Sequence, residues 1–157
     1  MHAGPIAFAE AERTMADRKV KKIPLVNPDG TVLGLITAKD LLKHRTHPFA
    51  TRDEHGRLRV AAAVGATGDY LERAVELHNA GADAIVIDIA HGHSMVMDKA
   101  IGQLRARLGA GVPLVAGNVA TADGAAFLVE RGVDAIKVGI GPGGGCTTRL
   151  TTNFGVP

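Results

Sequence analysis

The chain reads as an α/β protein built on a parallel sheet, and three observations say so. From residue 58 onward short apolar runs alternate with helical stretches, the order that parallel strands joined by crossover helices require. Hydrophobic residues make up 46% of the 157 but aromatics only 3%, a supply of Ala, Val, Ile and Gly suited to packing helices closely on such a sheet. Finally, Ala80-Gly81-Ala82-Asp83-Ala84-Ile85-Val86-Ile87 is echoed by Arg131-Gly132-Val133-Asp134-Ala135-Ile136-Lys137-Val138. In each copy glycine ends a helix and the chain turns straight into a strand.

Residues 5–18 carry apolar residues at helical spacing among strong helix formers, which predicts an amphipathic helix. Strands at Ile23–Val26 and Val32–Thr37 flank the turn Asn27-Pro28-Asp29-Gly30 and predict a hairpin. A helix over Ala38–His44 follows, with Thr37 placed as its N-cap. From Thr46 to Arg57 the composition turns polar and turn-rich, as in a linker. Beyond it the pattern predicts strands at Leu58–Val64, Ala84–Ile89, Pro113–Ala116 and Ala135–Val138, with helices at Asp69–Asn79, Ser94–Leu108 and Ala122–Arg131 between them. The expected organisation is therefore a first block over 1–46, a linker over 47–57 and a second block over 58–157. A complete (β/α)₈ barrel needs roughly 200 residues or more. Four strands ending just beyond a glycine-rich loop are expected to be a fragment of a larger barrel or a truncation.

Lys and Arg number 18 against 16 Asp and Glu, a formal charge of +2 with the signs interspersed apart from Arg18, Lys19, Lys21 and Lys22. Nucleic acid is not the expected partner, because its surfaces want a stronger basic bias with aromatics to stack on bases. One cysteine excludes an internal disulfide framework and any multi-cysteine zinc site. No leader pattern and no apolar run of about 18 residues is present, so the expected location is cytoplasmic, away from membranes.

In parallel α/β architectures chemistry collects where the C-terminal strand ends lead into helices. Here those loops hold Asp88 to Ser94, Gly117 to Thr121 and Gly139 to Thr148. Asp88 ends an apolar strand, where an unpaired carboxylate is costly to bury, so it either caps the next helix or receives backbone N–H bonds, or meets a ligand. His91 and His93 lack a third clustered ligand and fit a helix start better than a metal. Asn118 is equally suited to bridging loops or contacting a ligand. Lys137 interrupts the last strand, as a cation positioned at the site or a side chain reaching out past it. Five of the residues from Gly139 to Gly145 are glycine, so the backbone there can take positive φ and approach a ligand or ion closely. The lone Cys146 stands directly after, followed by Thr147, Thr148 and Arg149. Free cysteines are usually small buried hydrophobes, but a thiol facing a run of backbone N–H groups has the layout of a nucleophile.

At these residues the chain resembles the IMP dehydrogenase and GMP reductase family. AIKVGIGPGGGCTTRLTTNFGVP is similar to that family's catalytic loop, and AGNVAT and DIAHGHS to its two preceding strand-end motifs, in the same order. DEHGRLRVAAAVG resembles the family's re-entry into the third barrel strand. The first block resembles the second half of a cystathionine-β-synthase (CBS) module pair, its GLITAKD matching the module pattern at Gly34, Thr37 and Asp40.

The resemblance implies a partial TIM barrel of about four strands preceded by half a CBS module. It implies that Cys146 attacks carbon 2 of IMP, that hydride passes to NAD, and that water hydrolyses the covalent intermediate to XMP with help from Thr148. Asp88, Asn118, Lys137 and Gly139 match cofactor-binding positions, and Gly144, Gly145 and Cys146 substrate-binding ones. The carbonyls of Gly141, Gly143 and Cys146 match a potassium site. Thr37 and Asp40 match positions that meet an adenine or guanine nucleotide. The family's barrels associate as tetramers. Gly144 departs from the pattern, which places a phosphate-contacting serine there, and Gly145 replaces the more usual isoleucine or valine. The remaining barrel strands and the flap arginine lie outside these 157 residues, so the chain alone is expected to be inactive. GMP reductase, deaminating GMP with NADPH, and a non-catalytic nucleotide-binding fragment are the alternatives.

Overall fold

A computed structural model of the chain describes residues 1–54, 56–153 and 155. The chain divides into two compact units, Met1–Arg52 and Asp53–Pro157.

The first unit runs β1 (His2–Ala3), α1 (Phe8–Arg18), β2 (Lys22–Val26), β3 (Val32–Thr37) and α2 (Ala38–Thr46). Its sheet has the order β1-β2-β3, with β1 parallel and β3 antiparallel to β2. The hairpin turn is held locally. Asp29 accepts from both the backbone N–H and the hydroxyl of Thr31, which lowers its pKa through the hydroxyl first and the N–H second. A small core of Ala11, Met15 and Ile23 is flanked by Ile6, Leu25, Ile36 and Leu41. Thr37 and Asp40 form a reciprocal capping box at the start of α2.

The second unit runs β4 (Ala61–Val64), α3 (Tyr70–Asn79), β5 (Ala84–Asp88), α4 (Met95–Leu108), β6 (Leu114–Val119), α5 (Ala122–Glu130), β7 (Ala135–Val138) and α6 (Thr148–Thr152). Its four strands lie side by side in sequence order, all parallel. Alternation divides the sheet. Val64, Ile85, Ile87, Leu114 and Ala116 are buried on one face, in a common core with Ala74, Met97, Ile101, Leu104 and Leu128 of the helices. The other face presents Ala61, Ala63, Val86, Asp88, Val115 and Lys137, of which the first two and both charged residues are exposed.

The internal echo has a structural cause. Asp83 donates its backbone N–H to the carbonyl of Val60 (2.9 Å) and accepts the N–H of Val60 on its carboxylate (2.8 Å). Asp134 repeats both bonds with Leu114, at 2.9 and 2.7 Å. In each copy the aspartate before one strand clasps the base of the strand before it. Gly81 and Gly132, at φ 100° and 71°, make the left-handed turn that delivers the aspartate there. Asp134 also receives Arg105 at 2.7 Å. Its carboxyl is held below the ordinary range, first by the N–H of Leu114 and then by Arg105.

Four sequence expectations shift. β4 starts at Ala61 rather than Leu58, because the backbone of Val60 is taken by Asp83. β6 continues past Ala116 to Val119, where β7 still offers partners. Two elements without an apolar period, β1 and α6, went unpredicted.

Candidate active site

Three strand ends of the second unit are knitted together by backbone bonds. The Ile89 N–H donates to Gly117 O (2.9 Å), the Asn118 N–H to Ile89 O (3.0 Å), the Gly92 N–H to Asn118 O (2.7 Å) and the Gly139 N–H to Val119 O (2.8 Å). A Cβ at Gly92 would stand 2.9 Å from Asn118 O, so only glycine seats this loop on β6. A cavity of about 230 Å³ opens over these ends. It gathers Asp88, Asn118, Lys137, Gly139, Gly141, Cys146 and Thr148, seven of the residues singled out from the sequence.

Asp88 and Lys137 form an ion pair, Nζ to Oδ2 2.8 Å. They belong to β5 and β7, and Gly117 of β6 stands in register between them. With no side chain in the middle of that row, the lysine crosses β6 to the carboxylate. A Cβ at Gly117 would lie 2.7 Å from Lys137 Cβ and 2.5 Å from its carbonyl oxygen. Asp88 therefore does not cap α4; Ser94 does, accepting from the Met97 N–H at 3.4 Å.

Asn118 takes one of its two predicted roles, the bridge between loops. Its Nδ2 donates to Gly139 O at 2.6 Å, tying the β6 end to the cysteine loop. Its Oδ1 is buried and has no hydrogen-bond partner among the described residues.

Cys146 is exposed at the cavity rim. Its backbone N–H donates to Gly143 O at 3.0 Å, closing a turn over 143–146. The thiol donates to Thr148 Oγ1 at 3.3 Å. The Thr148 hydroxyl, then the N–H of Thr148, and also the N–H of Gly141, lower the thiol pKa by stabilising the thiolate. Around Gly144 and Gly145 there is open space where a Cβ would point.

Thr37 and Asp40 lie in the first unit and are not brought to this cavity. Their side chains serve one another: Asp40 accepts from the Thr37 N–H (2.9 Å) and hydroxyl (2.7 Å), and the Asp40 N–H donates to Thr37 Oγ1 (3.3 Å). Those bonds, the hydroxyl first, lower the Asp40 pKa. His93 packs on the ring of Phe127 at 4.6 Å, and Arg131 covers that ring at 3.4 Å. Among the described residues no group of three metal-ligating side chains occurs.

Sequence reasoning missed the apolar half of the site. A second cavity of about 410 Å³ is lined by Ala90, His91, Ala120, Ile140, Thr148, Thr152 and Gly155, sharing Ala90, Ile140 and Thr148 with the first. Small apolar residues in strand-end loops carry no mark that separates lining from core. Gly117, inside AGNVAT, carries no mark in the sequence that makes it the gap in the row.

Comparison with known proteins places this geometry in context. A family model described as the IMP dehydrogenase / GMP reductase domain matches residues 6–157. An inosine-5'-monophosphate dehydrogenase of Streptococcus pyogenes is 53% identical over 147 residues, covering 94% of this chain and 30% of that protein. That of Aquifex aeolicus is 47% identical over 152 residues, 97% of this chain and 31% of its own length. A crystal structure of GMP reductase from Trypanosoma brucei in complex with guanosine 5'-triphosphate superposes with a TM-score of 0.76 at 39% identity, over 100% of this chain and 38% of that one. The chain thus spans 30% to 38% of the length of these relatives.

Proposed function

The chain belongs to the IMP dehydrogenase / GMP reductase family, and from that premise we propose that it is part of an IMP dehydrogenase, oxidising IMP to XMP with NAD through Cys146. The observation that carries the reading is the exposed thiol, hydrogen-bonded to Thr148 at 3.3 Å on the rim of a cavity floored by Asp88, Asn118 and Lys137. The dehydrogenase names of the relatives at 47–53% identity support it.

Cys146, as thiolate, adds to carbon 2 of the purine. NAD, which Asp88 and Asn118 would hold, would supply the acceptor for the hydride leaving that carbon, so that the purine would stay joined to sulfur. Water then adds at the same carbon, the C–S bond breaks, and XMP leaves with the thiol restored; overall IMP, NAD and water give XMP, NADH and a proton. Covalent catalysis of this kind divides one difficult substitution into two easier steps. In this reading Thr148, hydrogen-bonded to the sulfur at 3.3 Å, orients the water.

The residues present fit a dinucleotide. The Asp88 carboxylate and the unpartnered Asn118 Oδ1 both accept hydrogen bonds, which suits the hydroxyls of a ribose. Lys137 supplies the counter-charge that lets the carboxylate lose water. The backbone N–H groups of Gly144 and Gly145 stand in for the absent serine hydroxyl toward the substrate phosphate. For potassium, the carbonyls of Gly141, Gly143 and Cys146 are an all-oxygen set of the kind hard cations take. Gly143 O keeps a lone pair after accepting from Cys146.

In this reading the second unit is part of a TIM barrel and the first is half of a CBS module. Thr37 and Asp40 there face an adenine or guanine nucleotide once their capping bonds are shared. The assembled protein is a cytoplasmic homotetramer. GMP reductase, reducing and deaminating GMP with NADPH, is the second reading, favoured by the structural likeness to the trypanosomal enzyme. Incubating the full-length protein with IMP and NAD and following NADH separates them. Consumption of NADPH with GMP, and no NADH from IMP, makes the protein a reductase; reaction with neither leaves a nucleotide-binding role.

A further inference from the structure

We infer that Phe127 is a positioning residue for the loop that leaves β5, its ring being the seat on which His93 holds Ile89, Ala90 and His91 at the walls of both cavities. That the ligand served is NAD rests on the function proposed above; the seat itself does not.

The loop has few means of holding itself. From Ile89 to Ser94 only Gly92 is buried, and Ala90, His91 and His93 are exposed. The Gly92 N–H is bound to Asn118 O and Ser94 caps α4, which fixes the middle and the far end through one hydrogen bond each. Between those two points His93 supplies a side-chain contact, its ring centroid 4.6 Å from that of Phe127 at an interplanar angle of 49°. Aromatic pairs at that separation favour tilted or offset arrangements over a face-to-face stack.

The Phe127 ring is itself fixed. It is half-buried and packed against the core of the sheet and its helices. Arg131 ends α5 one turn later, where the four-residue spacing brings its side chain back over Phe127, with Cζ 3.4 Å from the ring centroid. The guanidinium donates from Nε to Asp98 of α4 at 2.6 Å and from Nη1 to the carbonyl of Phe127 at 2.8 Å, so it cannot leave the ring without breaking both bonds. One cluster thus joins α5, α4 and the loop that runs from β5 into α4.

The held segment reaches both cavities. Ile89 and Ala90 line the one that contains Asp88, and Ala90 and His91 line the apolar one. Without the ring this segment is released, and a ligand that packs on it has to order it first, which lowers affinity. Cys146 stands on a different loop, so the chemical step is expected to be spared.

The test uses Phe127→Leu, which keeps apolar bulk without the ring, Phe127→Tyr, which keeps the ring, and His93→Ala, which removes its occupant. In the full-length protein Phe127→Leu and His93→Ala are each expected to raise KM for NAD about fivefold, with kcat and KM for IMP within about twofold of the parent. Phe127→Tyr is expected to match the parent. Both single changes break one contact, so the double variant is expected to stay within about twofold of either. An unchanged KM for NAD, or effects that multiply to about 25-fold, would sever the ring from the ligand. Hydrogen exchange of the Gly92 amide is the second readout and needs no turnover. It is expected to be about fivefold faster in Phe127→Leu and His93→Ala, and the parental rate in both overturns the seat. Should Phe127→Leu not fold, His93→Ala decides by the same measures. Should the full-length protein not turn over IMP with NAD, the proposed function fails and Gly92 exchange alone decides the seat.

Discussion

Replacing Lys137 by Met removes the ammonium that meets Asp88 and keeps a chain of similar length, so it separates what the pair does for stability from what it does for a ligand. The side chains are 47% and 40% exposed and their charges 2.8 Å apart. Two unit charges at that distance attract by about 1.5 kcal/mol in a water-like medium. Ordering two side chains and screening by salt reduce the net value for such exposed pairs to about 0.2–1 kcal/mol. The expected loss in a urea melt is therefore below about 1 kcal/mol, with a midpoint shift of at most about 5 °C on heating. Binding is expected to respond more strongly. A ribose that takes the Asp88 carboxylate displaces its water, and the missing counter-charge is expected to weaken NAD binding about tenfold, or about 1.4 kcal/mol. Direct titration of the full-length protein with NAD measures this, and Lys137→Arg is expected to recover part of it. A stability loss above about 2 kcal/mol with unchanged NAD affinity would make the pair a structural clasp and refute the reasoning.

Four further outcomes are expected. Thr148→Val removes the hydroxyl that does most to stabilise the thiolate, so the pH midpoint of Cys146 alkylation, lowered in the parent, moves up toward that of an ordinary thiol; an unchanged midpoint would contradict that cause. Gly117→Ala forces a Cβ to 2.5 Å from the Lys137 carbonyl oxygen, and about 1–3 kcal/mol is expected to disappear from the urea melt. Gly144→Ser enters open space, so its stability is expected to stay within about 0.5 kcal/mol of the parent, while KM for IMP falls and KM for NAD does not. Asp134 has a lowered folded pKa, so its contribution is present above the ordinary carboxylate range and lost as pH falls through the folded value. Asp134→Asn is expected to be less stable at neutral pH and to lose less on acidification, which melts from pH 7 downward measure.

The four strands of the second unit and its helices α3 to α5 were legible because each carries a local signal. Apolar periodicity marks α3 and α4, a cap marks the start of α5, and glycine marks the ends of α3 and α5. β1 has two residues and owes its pairing to Leu25 and Val26, while α6 is a five-residue turn containing three threonines, so neither has a period to read. The strand-end loops were legible as a site because their polar residues interrupt apolar runs. The Asp88–Lys137 pair was not, because 49 residues separate the partners and their meeting depends on register across β6. Asn118 shows the limit differently: the sequence allowed a loop bridge or a ligand contact, and the structure gives one end of the amide to the bridge and leaves the other end open.

The aspartate clasps at Val60 and Leu114 bear on how such a scaffold diversifies. The entries of β4 and β6 are each clasped by an aspartate carried on the following repeat, and neither clasp uses the loops at the exits. Where an exit loop keeps its backbone bonds to the neighbouring strand, its remaining residues can therefore change without shifting β4 or β6 by a residue, an error that would turn the buried face outward. The chain keeps its alignment marks at one end of the sheet and its chemistry at the other, so variation in what it binds need not be variation in how it folds.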